Sequence, residues 1–317
     1  MLNLSAASSL RVMILGANGQ VGWQLQQQGL ALKRIDTFPL EIIPIARQGT
    51  QLTLDLTDSS AIQTVIRTHQ PHIVINAAAY TAVDRAESEP ELALEINGTV
   101  PGVLAVAVEK IGGLLIHYST DYVFDGTSST PYLETDSTTP INAYGQSKLI
   151  GEQAIQAKAQ NHLILRTSWV YDVRGKNFLL TMAKLAQTRP QISVVNDQIG
   201  SPTSAPLIAR ITYQILAQLL ATPDWQTLTG LYHLTAQGFT SWYGFAENIV
   251  AHLAESSSHP LAELIPISTR DYPTAAQRPA FSRLNCQKLQ QTFGITLPAW
   301  EREFGIVWQT WLQSRPT

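Results

Sequence analysis

The sequence predicts an α/β fold built on a doubly wound parallel sheet, with a smaller C-terminal lobe packed closely against it. Three observations point there. Short β-rich runs alternate with helical stretches through the first half, a glycine-rich turn follows the first run at once, and the rhythm loosens beyond Arg166. Arg11–Leu15 is a mostly apolar run ending at Gly16, as expected of a strand covered on both faces. Val21–Leu32 follows as a helix. The runs Ile42–Ala46, His72–Asn76, Leu114–Ser119 and His162–Thr167 read as strands, separated by helices such as Ser59–His69 and Tyr144–Lys158. This alternation implies right-handed crossovers and ligands held in the loops at the carboxyl ends of the strands. Farther on, Ile192–Asn196 and Leu231–Leu234 read as strands. Ala205–Leu220 and Trp300–Leu312 read as helices, the last with Trp308 and Trp311 on or near its buried side. The proline-bearing stretches Thr222–Asp224, Ser258–Leu261 and Asp271–Pro279 read as loops. No repeat and no long linker divides the chain, so we expect a sheet domain over 10–170, with part of 200–240 returning to it, and an intimately packed smaller lobe over 171–317.

Composition excludes several classes of function. A length of 317 residues suits about two domains at roughly 150 residues each. Lysine plus arginine (21) against aspartate plus glutamate (24) leaves a net charge of −3, so there is no cationic field for nucleic acid. The apolar stretches Val103–Val108 and Leu114–Ile116 fall short of the ~20 residues a bilayer-spanning helix needs, and Glu109 and Lys110 interrupt them, so no membrane partner is expected. Cys286 is the single cysteine, which fits a reducing cytoplasm. The chain up to Ser9 lacks the basic and apolar regions of a signal peptide and reads as a short disordered lead. Seven histidines are scattered without metal-ligand spacing.

The first motif is Gly16-Ala17-Asn18-Gly19-Gln20-Val21-Gly22, between the first strand and the first helix. Its chemistry is that of the backbone. Gly16 allows the tight turn, Gly19 lets main-chain N–H groups approach a pyrophosphate, and Gly22 lets the helix pack close to the strand, the device of the Rossmann dinucleotide fold. Where an NAD-binding protein carries an acidic side chain after the second strand, this chain has Ala46-Arg47. A carboxylate there would repel a 2′-phosphate, whereas Arg47 can pair with it, so NADPH is favoured, with NADH as the second choice. Asp55-Leu56 is placed to border the adenine.

The second motif is Tyr144 and Lys148, four residues apart on one helical face. An ammonium near a phenol favours the phenolate and lowers a pKa that is ordinarily about 10. Ser119-Thr120-Asp121, just past the strand that ends near Tyr118, supplies a hydroxyl able to bond a carbonyl oxygen under reduction. Glycine turn, Ser-Thr-Asp and Tyr-x-x-x-Lys in this order resemble the extended short-chain dehydrogenase/reductase superfamily.

The resemblance sharpens in longer blocks. Asn76–Glu87 (NAAAYTAVDRAE), His117–Gly126 (HYSTDYVFDG), Arg166–Tyr171 (RTSWVY), Ser193–Thr203 (SVVNDQIGSPT) and Arg278-Pro279 with Ser282–Asn285 resemble the dTDP-4-dehydrorhamnose reductase family, from Arg11 to about Trp311. That resemblance implies a catalytic set of Thr120, Tyr144 and Lys148 and reduction of the C4 ketone of dTDP-4-dehydro-β-L-rhamnose. It implies cofactor contacts at Gly19, Gln20 and Val21, Asp55 and Leu56, Ala77 and Ala78, Ala79, Tyr80 and Thr81, and Tyr118, with Gly16, Asn18, Gly22 and Arg47 beside them. Substrate contacts fall on Thr120, Asp121, Tyr144 and Trp169, with Asn177 and Arg283 as candidates for the diphosphate. Where some members hold magnesium with glutamates at a dimer interface, this chain has Gln24 and Pro206, so the usual carboxylate-rich site is not supported and either a monomer or a homodimer is open. The alternatives are another nucleotide-sugar 4-ketoreductase, epimerase or dehydratase on the same fold, or a non-catalytic NADP-binding regulatory subunit. Asp121 is followed by Tyr122 rather than the glutamate a dehydratase of this kind resembles, and the catalytic set is whole, which favours reduction.

Overall fold

Leu10–Leu15 forms β1 at the centre of a parallel sheet, with every side chain but Arg11 buried. The structure is a computed structural model and describes residues 8–255 and 259–314; most of the expected N-terminal lead, and Ser258 of the loop read over Ser258–Leu261, lie outside the described residues. β1 is joined by β2 (Phe38–Ala46), β3 (Leu52–Thr53), β4 (Ile73–Asn76), β5 (Leu114–Thr120), β6 (His162–Thr167) and β7 (Gly230–His233), in spatial order 3-2-1-4-5-6-7. These pairs are parallel, and Arg34–Ile35 adds a short antiparallel hairpin on β2. The order of strands reverses between β1 and β4, which opens a crevice at their carboxyl ends.

Alternation along the strands divides the core in two. Val12 and Ile14 of β1 join one apolar layer, whereas Met13 and Leu15 join the other. α1 (Gln20–Leu32) and α6 (Ala205–Ala221) pack together on the first face. α2 (Ser59–His69), α3 (Pro90–Lys110) and α4 (Ala143–Lys158) cover the second. α3 is one continuous helix of 21 residues that widens to a π turn at Glu95–Thr99. It corrects the expectation of short apolar stretches: with a mean hydropathy of 1.4 it is long and apolar enough to cross a bilayer, yet it sits between α2 and α4 with its inner residues in the core. Beyond the sheet the chain forms α5 (Phe178–Thr188), α7 (Trp242–Ala254) and α8 (Trp300–Ser314), with Gln191–Val195 and Glu263–Ile267 paired in parallel.

β2 begins four residues earlier than expected because its first half lies at the sheet's edge, where Pro39 needs no amide donor. α4 comes unusually close to its surroundings. A Cβ on Gly145 would lie 2.1 Å from the carbonyl oxygen of Tyr122, and one on Gly151 2.1 Å from that of Asn97 in the π turn. Neither neighbour is a side chain that can swing away. We therefore expect Gly151→Ala to push α4 off α3 and destabilise the fold by about 1–3 kcal/mol, read as a lower melting temperature together with weaker activity, because α4 carries the site.

Candidate active site

A cleft of about 740 Å³ opens at the carboxyl ends of β1, β4, β5 and β6, at the reversal of strand order. One end is the glycine turn. Gly16 has φ +75°, and a Cβ there would meet the backbone of Ala78 at 2.6 Å, so the turn lies hard against the loop after β4. A Cβ on Gly22 would lie 2.2 Å from the Gly16 carbonyl oxygen, which fixes how closely α1 approaches the turn. Gly19 caps α1 in extended conformation without a side-chain hydrogen bond. The first amides of a long helix thus point into the cleft beside Gly16, Asn18, Gln20 and Val21, an arrangement suited to a phosphate.

The other end gathers the polar side chains. Tyr118, Ser119, Thr120, Asp121, Tyr144 and Lys148 line one wall, and Trp169 with Trp242 of α7 lines another part of the cleft. Asn142 caps α4 by accepting from the Gly145 amide, which sets the first turn and hence Tyr144. Lys148, one turn on, is 2% exposed. Its Nζ donates to the Tyr118 carbonyl oxygen at 2.6 Å and lies 3.1 Å from Nε2 of His117. Thr120 donates to Asp121 at 3.0 Å.

Burial dominates the acidities. It pushes the Tyr144 phenol up to about 12, against a hydrogen bond with Thr120 that acts the other way. It also pulls Lys148 down to about 8, opposed by Glu152. The expected lowering of the phenol is therefore overturned in the protein alone, because desolvation of the phenolate is the largest influence on Tyr144 and outweighs the Thr120 hydrogen bond. Asp121 is raised to about 6, again by burial first, with Ser282 and Thr120 pulling down.

Most of the anticipated residues meet here: Gly16, Asn18, Gly19, Gln20, Val21, Ala77, Ala78, Ala79, Thr81, Tyr118, Thr120, Asp121, Tyr144, Lys148 and Trp169 all line the cleft. Others lie outside its lining. Tyr80 turns its hydroxyl to Glu89 at 2.5 Å. Arg47 is exposed just past β2. Asp55 is held by Thr57, and Leu56 packs on the core. Asn177 caps α5 and bonds Gln20 and the Asp172 carbonyl, so its amide is spent on structure. Arg283 lies over the ring of Phe239 in a separate cavity. Gln24 donates to both carboxylate oxygens of Asp172.

Sequence reasoning missed Trp242 of α7 and Arg174 and Lys176 of the loop before α5, which also line the cleft. It also missed Thr167 and Ser168, although they sit inside the RTSWVY block. The hydroxyls of Ser119 and Thr167 are buried at the cleft wall without a protein partner, as a site built for a polar ligand requires.

Sheet order, glycine turn and a Tyr-Lys pair on one cleft define a Rossmann-type oxidoreductase of the short-chain dehydrogenase/reductase class. Residues 10–311 match the family described as RmlD substrate binding domain, and the chain belongs to that family. It is similar to the dTDP-4-dehydrorhamnose reductase of Burkholderia thailandensis, at 45% identity over 94% of this chain and 97% of the relative. The Escherichia coli K12 protein of the same description is 44% identical over 92% and 95%. Among solved structures, dTDP-4-dehydrorhamnose reductase from Bacillus anthracis in complex with NADP superimposes with a TM-score of 0.83 at 36% identity, covering 95% of this chain and 99% of that one.

The raised acidity constant of Asp121 has a thermodynamic consequence. Its folded value of about 6 lies above the ordinary 3.8, so the folded state holds the proton more tightly than the unfolded chain. The associated stability is complete below the ordinary value and lost as pH rises through about 6. Asp121→Asn should accordingly raise the melting temperature at pH about 7.5, with the gain vanishing toward pH about 4. A gain independent of pH would show that folding leaves the acidity of Asp121 unchanged.

Proposed function

We propose that this protein reduces the C4 ketone of dTDP-4-dehydro-β-L-rhamnose to dTDP-β-L-rhamnose, with NADPH as the reductant. The observation that carries the reading is the gathering of Thr120, Tyr144 and Lys148 on one wall of a cleft that ends at the bare N-terminus of α1. The names of relatives at 44–45% identity over nearly full length support the substrate, and the Bacillus anthracis complex supports NADP.

The glycine turn fits a dinucleotide: Gly16 and Gly22 let the turn and α1 seat against backbone that a Cβ would strike, and Gly19 leaves the first amides of α1 without a side-chain cap. Gly19, Gln20 and Val21 would hold the pyrophosphate through their amides, Ala77–Thr81 and Tyr118 would border the ribose and nicotinamide, and Arg47 would read the 2′-phosphate. NADPH, when bound, supplies the hydride. Thr120 orients the ketone oxygen by a hydrogen bond, and Tyr144 gives its proton to that oxygen as negative charge grows there. A phenol that burial keeps protonated is in the right state to donate at neutral pH. Lys148, charged at neutral pH, lies one helical turn away and opposes the charge left on Tyr144. Trp169 forms the wall against which the sugar rests. We assign residues 10–170, with α6 and β7 of the returning 200–240 stretch, to the cofactor domain and the rest of 171–317 to the substrate lobe, in support of which α6 packs on α1 and β7 completes the sheet while α5 and α7 pack together beside it. A 4,6-dehydratase is disfavoured because Tyr122, not a second carboxylate, follows Asp121.

The test is NADPH consumption with a small panel of dTDP- and UDP-4-keto sugars; turnover confined to a different nucleotide sugar would overturn the substrate. Tyr144→Phe should lower kcat by about 10²–10⁴-fold while NADPH binding survives. Arg47→Asp should cut the preference for NADPH over NADH by about tenfold or more, the worth of a charge-assisted hydrogen bond. An unchanged cofactor ratio would place recognition of the 2′-phosphate on another residue.

A further inference from the structure

His117 sits in the middle of β5, fully buried, and no step above uses it. It faces α4 rather than the opposite layer, since Ile116 and Tyr118 on either side join the other core. Both ring nitrogens are engaged: Nδ1 lies 3.0 Å from Nδ2 of Asn76 on the neighbouring strand, and Nε2 lies 3.1 Å from Nζ of Lys148.

The direction of these bonds follows from the far end. Asn76 Oδ1 accepts the backbone N–H of Ala78 at 3.2 Å, so the NH₂ of that amide must face the imidazole. The NH₂ can only donate, which makes His117 Nδ1 an acceptor. Burial holds the ring neutral, its pKa well below the ordinary range, so the one ring proton resides on Nε2. That proton points at Lys148, whose own N–H donates to the Tyr118 carbonyl oxygen. Four donors thus run one way, from Ala78 through Asn76 and His117 to Lys148 and on to Tyr118. The chain is satisfied when Lys148 is an amine and strained by one donor facing another when it is an ammonium.

We propose that His117, oriented by Asn76, is a positioning residue for the reduction: its Nε2–H can be accepted only by the amine form of Lys148 and faces the ammonium donor to donor, so it weakens the hold of Lys148 on its proton beside Tyr144. This rests on the reductase reading above. Each turnover takes a proton from Tyr144 that solvent must replace, and a lysine that releases and regains its proton near neutral pH suits that cycle better than one titrating in its ordinary range. Burial by itself brings Lys148 down to about 8, and a donor facing the ammonium acts in the same direction. Few other charges bear on the pair. Glu152 on α4 favours the ammonium but is itself paired with Arg166 of β6 at 2.6 Å, and Tyr144 is the titratable group one turn earlier. The flanking strand residues Asn76 and Ile164 do not titrate, and the buried face of α3 over Val100–Val108 is apolar.

Nitrogen-15 NMR of the imidazole in the full-length wild-type protein tests the tautomer without any substrate. A neutral ring protonated on Nε2 between pH 6 and 9 is expected; a proton on Nδ1, or an imidazolium, overturns the proposal. Asn76→Asp keeps an acceptor for the Ala78 amide but presents an acceptor to Nδ1 as well. It should move the proton to Nδ1, and raise the Lys148 limb of the kcat–pH profile by about one unit or more. His117→Leu should lower kcat about tenfold with a smaller change in KM for NADPH, and should shift the same limb. Loss of rate in His117→Leu with an unmoved limb in both variants would reduce His117 to a packing residue. Absence of turnover in the wild-type enzyme with every nucleotide sugar would instead sink the reductase reading, and leave the tautomer result standing.

Discussion

A lysine buried against a strand carbonyl is the contact around which this cleft is organised. An ammonium or amine taken out of water needs hydrogen-bond partners or it costs several kcal/mol. Lys148, 2% exposed, finds them on β5, in the Tyr118 carbonyl oxygen and the ring of His117. To bring Lys148 that far in, α4 must lie nearly on top of the strand ends and of α3. Gly145 and Gly151 permit it, since a Cβ at either position would strike a carbonyl oxygen at 2.1 Å. The π turn at Glu95–Thr99 belongs to the same arrangement: it delivers Asn97, whose amide bonds both the Tyr80 carbonyl and the Ser147 hydroxyl beside Lys148. With α4 seated, Tyr144 arrives at Thr120 without any further device.

Seating the pair so deeply decides its electrostatics. Burial disfavours whichever form is charged, so it lifts the phenol and lowers the ammonium together. The simple picture of a lysine stripping a proton from a tyrosine does not describe the protein by itself. What the protein provides is a phenol that keeps its proton until charge develops beside it, and a lysine poised within reach of neutral pH. Asp121, held near 6 at the same wall, lies in the same range, and its carboxyl oxygen accepts the Thr120 hydroxyl. Three titratable groups have thus been shifted by one cause, the low-dielectric pocket at the end of β5.

The sequence made legible what depends on local sterics and period. The glycine turn announces itself because Gly16 and Gly22 are needed by contacts within a few residues of each other and with the next strand's loop. Tyr144 and Lys148 are fixed by helical spacing alone, and Ser59–His69 ends where its cap and basic last turn say it should. What escaped depends on contacts distant in sequence. Nothing local to Trp242 says that it will stack on Trp169, 73 positions away, at 3.6 Å between centroids. Arg174 and Lys176 reach the cleft only because Asn177 and Gly175 pin their loop against Gln20 of α1. Asn177 was misjudged for the same reason: a polar side chain in a family-like stretch looks like a ligand contact until its three acceptors are seen. His117 likewise looks like an ordinary core histidine, because its meaning lies in which of its nitrogens holds the proton.

The stack of Trp169 on Trp242 shows how such distant contacts sustain a local strain. Trp169 has φ +46°, in the left-handed region that a bulky residue avoids, at a cost of about 1–3 kcal/mol. Its indole is clamped on both sides. Trp242 from α7 lies parallel to it at 7°, and Gly200 leaves room on the other side, where a Cβ would come within 2.4 Å of the ring. A tryptophan serving only to fill the core would relax its backbone and repack. This one is kept in an unfavourable conformation by a stack from α7, so its position depends on α7 as well as on the loop after β6. A movement of α7 relative to the sheet would release the clamp and the wall together. The shape of the cleft at Trp169 is therefore a property of that contact, whereas the chemistry on the sheet side is set by α4 and β5.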